Sequence, residues 1–200
     1  MWSAGIAEMQ KSIRAAELAR IAAALSLGNQ EDAKRIARQH FDWKALSENR
    51  QTITKNRAVR IFCRDRFIDR YSGSKLIFPG ALLTINKLMP DEFPMHPTWK
   101  AGHSHEVFWE LWPVVDHVYP VSRGGSNSDD NFVTTSVINN TAKGNALFED
   151  LGWTLRAISV DEPWDGMVGW FGEMVGRQPG LLGDRTINGW WSAVKPLVSR

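Results

Sequence analysis

Val114-Val115-Asp116-His117-Val118-Tyr119-Pro120-Val121-Ser122-Arg123-Gly124-Gly125 is followed, after a short polar run, by Asn131-Phe132-Val133-Thr134-Thr135. Asn139-Asn140-Thr141-Ala142-Lys143-Gly144-Asn145 then completes the stretch. The first part closes a largely apolar and aromatic segment, Val107 to Tyr119, whose end reads as a buried strand. Residues 121–131 are rich in Gly, Ser, Asn and Asp and read as a loop. Residues 133–147 read as a strand end followed by a helix. The local order is therefore strand, loop, strand, helix, and the chemistry-bearing side chains sit at its corners.

Taken singly, these residues are bland. An Asp-His pair is common, a Gly-Gly step signals a turn, and a lone Asn is a loop residue or a helix cap. In this order and spacing they resemble the HNH, or ββα-metal, nuclease motif: Asp-His, then Pro, a Gly-Gly loop, an Asn, and a helix near Asn-x-x-Lys-Gly. Five residues separate Gly125 from Asn131 and eight separate Asn131 from Asn140. The resemblance implies an α+β fold, an HNH core with additional N- and C-terminal helices. It implies Asp116 and Asn140 as metal ligands and His117 as general base. Asn131 would hold the connecting loop and help orient the His117 ring, and Arg123 and Lys143 would contact phosphate. The expected cofactor is one divalent metal, Mg²⁺ or Mn²⁺, and the expected partner is nucleic acid, DNA ahead of RNA.

The residue types suit that chemistry. Phosphodiester hydrolysis needs a nucleophilic water, a base for its proton and positive charge for the phosphate. An unperturbed imidazole titrates at about 6.5, so His117 can be neutral near pH 7. Asp116 is a hard anionic oxygen donor and Asn140 a hard neutral one, a set that favours Mg²⁺ or Mn²⁺ over structural zinc. Two protein ligands leave positions open for water and a phosphate oxygen. One difficulty is geometric: adjacent residues of a regular strand point to opposite faces, so Asp116 and His117 converge only where the strand ends or twists.

Many relatives staple the motif with paired Cys-x-x-Cys zinc ligands. This chain has one cysteine, Cys63, so it has neither that staple nor an intrachain disulfide. Asp69 and Ser72 stand at the first expected pair, in a hairpin over residues 67–78, and Ser136 and Asn139 at the second. Packing by Trp99, Trp109 and Trp112 is expected to compensate, since each ring buries on the order of 150–250 Å². His103 and His105, with Glu106 and Glu110 nearby, form a second candidate metal site, against which stands a surface or packing role. Cys63 is expected to be buried.

Outward from the motif, residues 5–27 read as an amphipathic helix with Ile6, Met9, Ile13, Ile21 and Leu25 on one face and Gly28 as its stop. Helices follow at 31–41, around Ile36, and at 54–66, with Val59, Ile61 and Phe62. Residues 79–105 carry four prolines and an apolar stretch between Leu82 and Leu88, and read as a largely irregular insertion around one short element. Residues 164–176 and a helix capped by Asp184, with Ile187, Trp190, Trp191 and Val194, end the chain. The expected organisation is a helical extension (1–50), a nuclease core (51–150) and a Trp-rich helical region packed on it (151–200).

The composition is that of a globular protein, 43% hydrophobic and 23% charged, with ten tryptophans. The net charge of +2 hides an asymmetry. Residues 1–75 hold 15 Lys and Arg against 8 Asp and Glu, a basic half suited to a phosphate backbone. No apolar run is long enough for a membrane span, and one thiol fits a reducing cytoplasm. The leading expectation is a metal-dependent DNA endonuclease. An inactive nucleic-acid-binding module, a nuclease for RNA or structured junctions, and a partner-binding protein with the nuclease as effector stand beside it. The terminal helices are the expected site of self-association or partner binding.

Overall fold

The computed structural model describes residues 2–41, 52–159 and 163–198. In chain order its elements are α1 (Trp2–Ser26), α2 (Gln30–His40), α3 (Lys55–Arg64), α4 (Pro79–Leu88), α5 (Val107–Leu111), β1 (Pro113–His117) and β2 (Phe132–Ser136). Four helices follow: α6 (Val137–Lys143), α7 (Phe148–Leu151), α8 (Val168–Arg177) and α9 (Arg185–Val198). They divide into two compact units, residues 1–50 with 147–153, and residues 51–146 with 154–200.

The first unit is a pair of helices with α7. Gly28, at φ 71°, makes the turn between α1 and α2. The Asn29 side chain caps α2 by accepting from the Asp32 N–H at 3.2 Å. Ala24, Ala33 and Ile36 are buried, but Ile13 and Leu25 are about half exposed (51% and 52%). The apolar face expected along α1 is therefore not a buried stripe. The side chains of Ile6 and Met9 and the expected boundary near residue 50 lie outside the described residues.

The second unit has one aromatic core. Phe62 of α3, Phe67, Phe78, Phe171 of α8, and Ile187, Trp190 and Val194 of α9 are all buried. Phe78 is its hub, with ring centroids 5.4 Å from Phe171, 5.8 Å from Trp190 and 6.1 Å from Phe67. A side chain at residue 80 would meet the Phe78 ring at 2.5 Å and the Phe171 ring at 2.9 Å, so Gly80 lets α4 seat against both. Asp184 caps α9 through the N–H groups of Thr186 (2.9 Å) and Ile187 (3.2 Å). Trp164 precedes α8 instead of entering it, and its indole N–H donates to the Leu76 carbonyl at 2.7 Å.

The short element expected within 79–105 is α4, which starts three residues before the apolar stretch: Pro79 occupies its first turn, where its missing N–H costs nothing, and Pro79 to Leu82 and Thr84 are buried. The small hairpin expected at 67–78 is present: Ile68 bridges Lys75 antiparallel, the Asp69 N–H donates to the Ser74 carbonyl at 2.8 Å and the Leu76 N–H to the Phe67 carbonyl at 2.7 Å, around a turn at Gly73 (φ 83°).

β1 and β2 pair antiparallel, with Asp116 opposite Val133 and His117 opposite Phe132. β2 is buried throughout, whereas β1, read from sequence as buried, is only half-buried after Pro113. The difference arises because segment 65–70 covers the outer edge of β2. Alternate N–H groups on that edge need acceptors away from β1. The Asp65 carboxylate takes the Thr134 N–H at 2.7 Å and the Asp69 carboxylate takes the Ser136 N–H at 2.9 Å. The Arg70 N–H in turn donates to the Thr134 carbonyl at 2.9 Å. No described helix is long and apolar enough to cross a membrane.

Candidate active site

Asp116 and His117 end β1, and α6 follows β2 directly, its first turn capped by the Ser136 hydroxyl on the Asn139 N–H (3.2 Å). That junction is held by Asp69, which is fully buried. One Asp69 oxygen accepts from the Tyr71 N–H (2.8 Å), the Ser72 N–H (3.3 Å) and the Thr135 hydroxyl (3.0 Å). The other accepts from the Ser136 N–H (2.9 Å) and the Asn139 side-chain amide (2.8 Å). Burial pushes the Asp69 carboxyl up, but the donors from Tyr71, Asn139 and Ser136 outweigh it and hold the group below the usual carboxylate range.

Asp69, Ser72, Ser136 and Asn139 are the four positions at which the sequence resemblance led us to look for thiols. A buried carboxylate with five donors joins the two segments here, beside the tryptophan packing that was expected. Trp99 does stack edge-on against Trp109 and Trp112, with centroids 5.9 and 5.0 Å apart. That cluster leads on to Trp190 at 6.3 Å, and the 69–139 junction itself is polar.

The loop between the strands is built around Asn131. Its carbonyl oxygen accepts from the Tyr119 N–H at 2.8 Å, and its amide donates to the carbonyls of Tyr119 and Ser126, both at 2.9 Å. Gly124 lies at φ 95°. At Gly125 a Cβ would fall 1.9 Å from the Tyr119 carbonyl oxygen, so no side chain fits there. Arginines of α3 tie down the far side. Arg57 donates to Asp129 Oδ1 (2.8 Å) and the Asn127 carbonyl (2.7 Å), and Arg64 to the carbonyls of Asp129 (2.8 Å) and Phe132 (2.6 Å). Part of the basic surplus read as a phosphate surface is thus engaged with the protein itself.

The expected site residues are distributed as follows. Asp116 Oδ2 accepts the Tyr71 hydroxyl at 2.5 Å and pairs with Lys143 Nζ at 2.9 Å, while Oδ1 has no hydrogen bond among the described residues. Burial, then the charge of Asp116, push the Tyr71 hydroxyl far up, so it stays protonated and donating. His117 lies edge-on to Phe132 at 4.6 Å, and its Nε2 is 2.9 Å from Asn127 Oδ1. An amide oxygen only accepts, so Nε2 carries the proton and Nδ1 is the basic nitrogen.

Asp116 and His117 therefore reach different side chains, as neighbours on a strand do. Lys143 joins them through Asp116 Oδ2 and the His117 carbonyl at 2.7 Å. Asn140, one helical turn before Lys143 and on the same face of α6, makes no side-chain hydrogen bond among the described residues. Arg123 is exposed and donates to the Asn145 carbonyl at 3.1 Å. Lys143, expected on phosphate, is instead buried, its side chain 1% exposed.

Asn127 and Tyr71 were missed in the sequence. Asn127 looks like any loop asparagine, and Tyr71 like a core aromatic beside a turn; only the fold brings them to His117 and Asp116. Asn131 holds the loop as expected, but the ring of His117 is met by Asn127.

The second candidate site does not assemble. The His105 ring packs 5.2 Å from Phe93 and its Nδ1 accepts from the Val107 N–H at 3.2 Å, while His103 faces His96 at 6.0 Å. Glu106 and Glu110 are exposed. Among the described residues no three His, Cys, Asp or Glu side chains gather to hold a metal. Cys63, expected to be buried, is exposed as a residue. Desolvation of its sulfur, then Asp165, push the thiol up to about 11, so it is not a reactive thiolate at neutral pH. A cleft of about 590 Å³ lined by Arg64, Arg70, Tyr119 and Asn131 includes neither Asp116 nor His117.

Compared with protein-family models, curated proteins and solved structures, the chain matches none.

Proposed function

We propose that the chain is a metal-dependent endonuclease of HNH type that hydrolyses phosphodiester bonds in DNA. The observation that carries this reading is the 2.9 Å pair between Lys143 and Asp116, residues that lie 27 positions apart. It draws the face of α6 bearing Asn140 to the strand end bearing Asp116. The open Asp116 Oδ1 and the unengaged Asn140 amide are the oxygen donors that a small divalent ion would take. Such an ion would supply positive charge to the scissile phosphate.

The protein's own groups have separable tasks. His117, its Nε2–H held by Asn127 Oδ1, presents Nδ1 to accept a proton from the attacking water. Asn131 and Gly125 keep the loop that follows His117 in one conformation, so the imidazole keeps its place. Tyr71 and Lys143 hold Asp116 Oδ2, which leaves Oδ1 as the oxygen that would take the ion. Arg123, exposed beside the loop, is the phosphate contact that remains of the two expected.

A supercoiled-plasmid nicking assay with Mg²⁺ or Mn²⁺ tests the reading. Wild type should nick, chelator should stop it, and His117→Ala should abolish nicking while gel-shift binding persists. Equal nicking by both proteins overturns His117 as base. Binding without cleavage of DNA or RNA under either metal favours the inactive binding module, and cleavage of RNA alone changes the substrate.

A further inference from the structure

Lys143 is a buried ammonium with two oxygen acceptors, Asp116 Oδ2 at 2.9 Å and the His117 carbonyl at 2.7 Å, and it lies 5.9 Å from the Tyr71 ring centroid. A buried lysine is retained where its charge is matched, and here the match is the one carboxylate of the candidate metal site. Asn140 adds an oxygen but no charge. The pair of Asp116 with Lys143 therefore sums to zero, and a divalent ion approaching Asp116 Oδ1 meets a fixed positive charge on the other oxygen of the same carboxylate. Asp69, the other acidic group acting on Tyr71, is already covered by five donors.

The same charge attracts anions. A phosphodiester brings the negative charge that the protein's ligand set lacks, so cation and anion attract one another at the site and bind cooperatively, by the same factor in both directions. We infer that Lys143 makes divalent-metal binding dependent on nucleic-acid phosphate, so that ion and substrate enter the site together and the free protein holds the ion weakly. The inference rests on the nuclease reading above and concerns the order in which that site fills. It also gives Lys143 a role different from direct phosphate contact: the lysine stays buried and acts through Asp116.

The test measures Mn²⁺ binding, by electron paramagnetic resonance of the free ion, in a His117→Ala background so that the oligonucleotide survives. Without DNA, Lys143→Met and Lys143→Gln should each bind Mn²⁺ at least about tenfold more tightly than the parent, and Lys143→Arg should not. Adding a duplex oligonucleotide should tighten Mn²⁺ binding to the parent by roughly tenfold and should do so far less for the neutral variants. Tyr71→Phe removes a hydrogen bond from the same Asp116 oxygen without changing charge, so it should follow the parent.

Folded neutral variants that bind Mn²⁺ no more tightly than the parent overturn the inference. If those variants do not fold, the parent decides alone: Mn²⁺ affinity unchanged by DNA overturns it, and tightening abolished by Asp116→Asn supports it. Mn²⁺ binding that Asp116→Asn leaves unaltered, with and without DNA, overturns the metal reading of the site itself.

Discussion

Replacing Asp69 should destabilise the second unit more than any other single polar substitution near the site. Its carboxylate accepts five hydrogen bonds at 2.8–3.3 Å, three from backbone N–H groups of Tyr71, Ser72 and Ser136. Ser72 is exposed and can turn to water, but Tyr71 and Ser136 are buried. Asp69→Ala strands those two donors at about 1–3 kcal/mol each and removes the link between the 67–75 turn and α6. The expected loss is about 4 kcal/mol, a large part of the roughly 5–15 kcal/mol of a typical domain.

Asp69→Asn keeps one accepting oxygen, but its amide then faces the donors of Ser136 and Asn139, so about 2–3 kcal/mol should go. Urea unfolding followed by tryptophan fluorescence at pH 7 measures both. Because the folded pKa of Asp69 lies below the unfolded value, its ionised form contributes stability above the unfolded pKa of about 3.9. That contribution disappears as pH falls through the folded pKa, so the gap between wild type and Asp69→Asn should narrow in acid. A loss under about 1 kcal/mol for Asp69→Ala, or a gap that widens in acid, refutes the reasoning.

Gly125→Ala should displace the loop, because its Cβ cannot sit 1.9 Å from the Tyr119 carbonyl; expect at least about 2 kcal/mol lost and nicking abolished. Asn131→Ala leaves three loop groups without their amide partner and should lower both thermal stability, by about 1–3 kcal/mol, and cleavage rate. Chelator in the absence of added divalent ions should leave the melting temperature unchanged, since both Asp69 oxygens at the junction are filled by hydrogen-bond donors; a drop would reveal a structural ion.

The sequence carried the parts of the fold that depend on local pattern. The α3 face of Val59, Ile61 and Phe62, the Asp184 cap and the strand–loop–strand–helix order all follow from spacing and capping chemistry. The short element around Leu82 to Leu88 was legible from its apolar stretch, but its start was not, because Pro79 gives no periodic signal although it sits where a helix accepts one. At the site, Asn131 was legible only through the motif that the stretch resembles, since alone it reads as any loop residue. Lys143 was misjudged because burial is decided by what lies across the sheet, and its partners Tyr71 and Asp116 are 72 and 27 residues away. Asp69 illustrates the same limit. Its position opposite the expected thiol pair could be read, but the five donors that converge on it belong to segments joined only by folding.

The central claim is that Asp116 and Asn140 hold one divalent ion beside His117. A crystal of the His117→Ala protein with duplex DNA, grown with Mn²⁺ and measured at the manganese absorption edge, tests it directly. One anomalous peak is expected within metal–oxygen bonding distance, about 2.2 Å, of both Asp116 Oδ1 and Asn140 Oδ1, with a phosphate oxygen as a further ligand. DNA bound with no such peak, or a peak that touches neither residue, would contradict it.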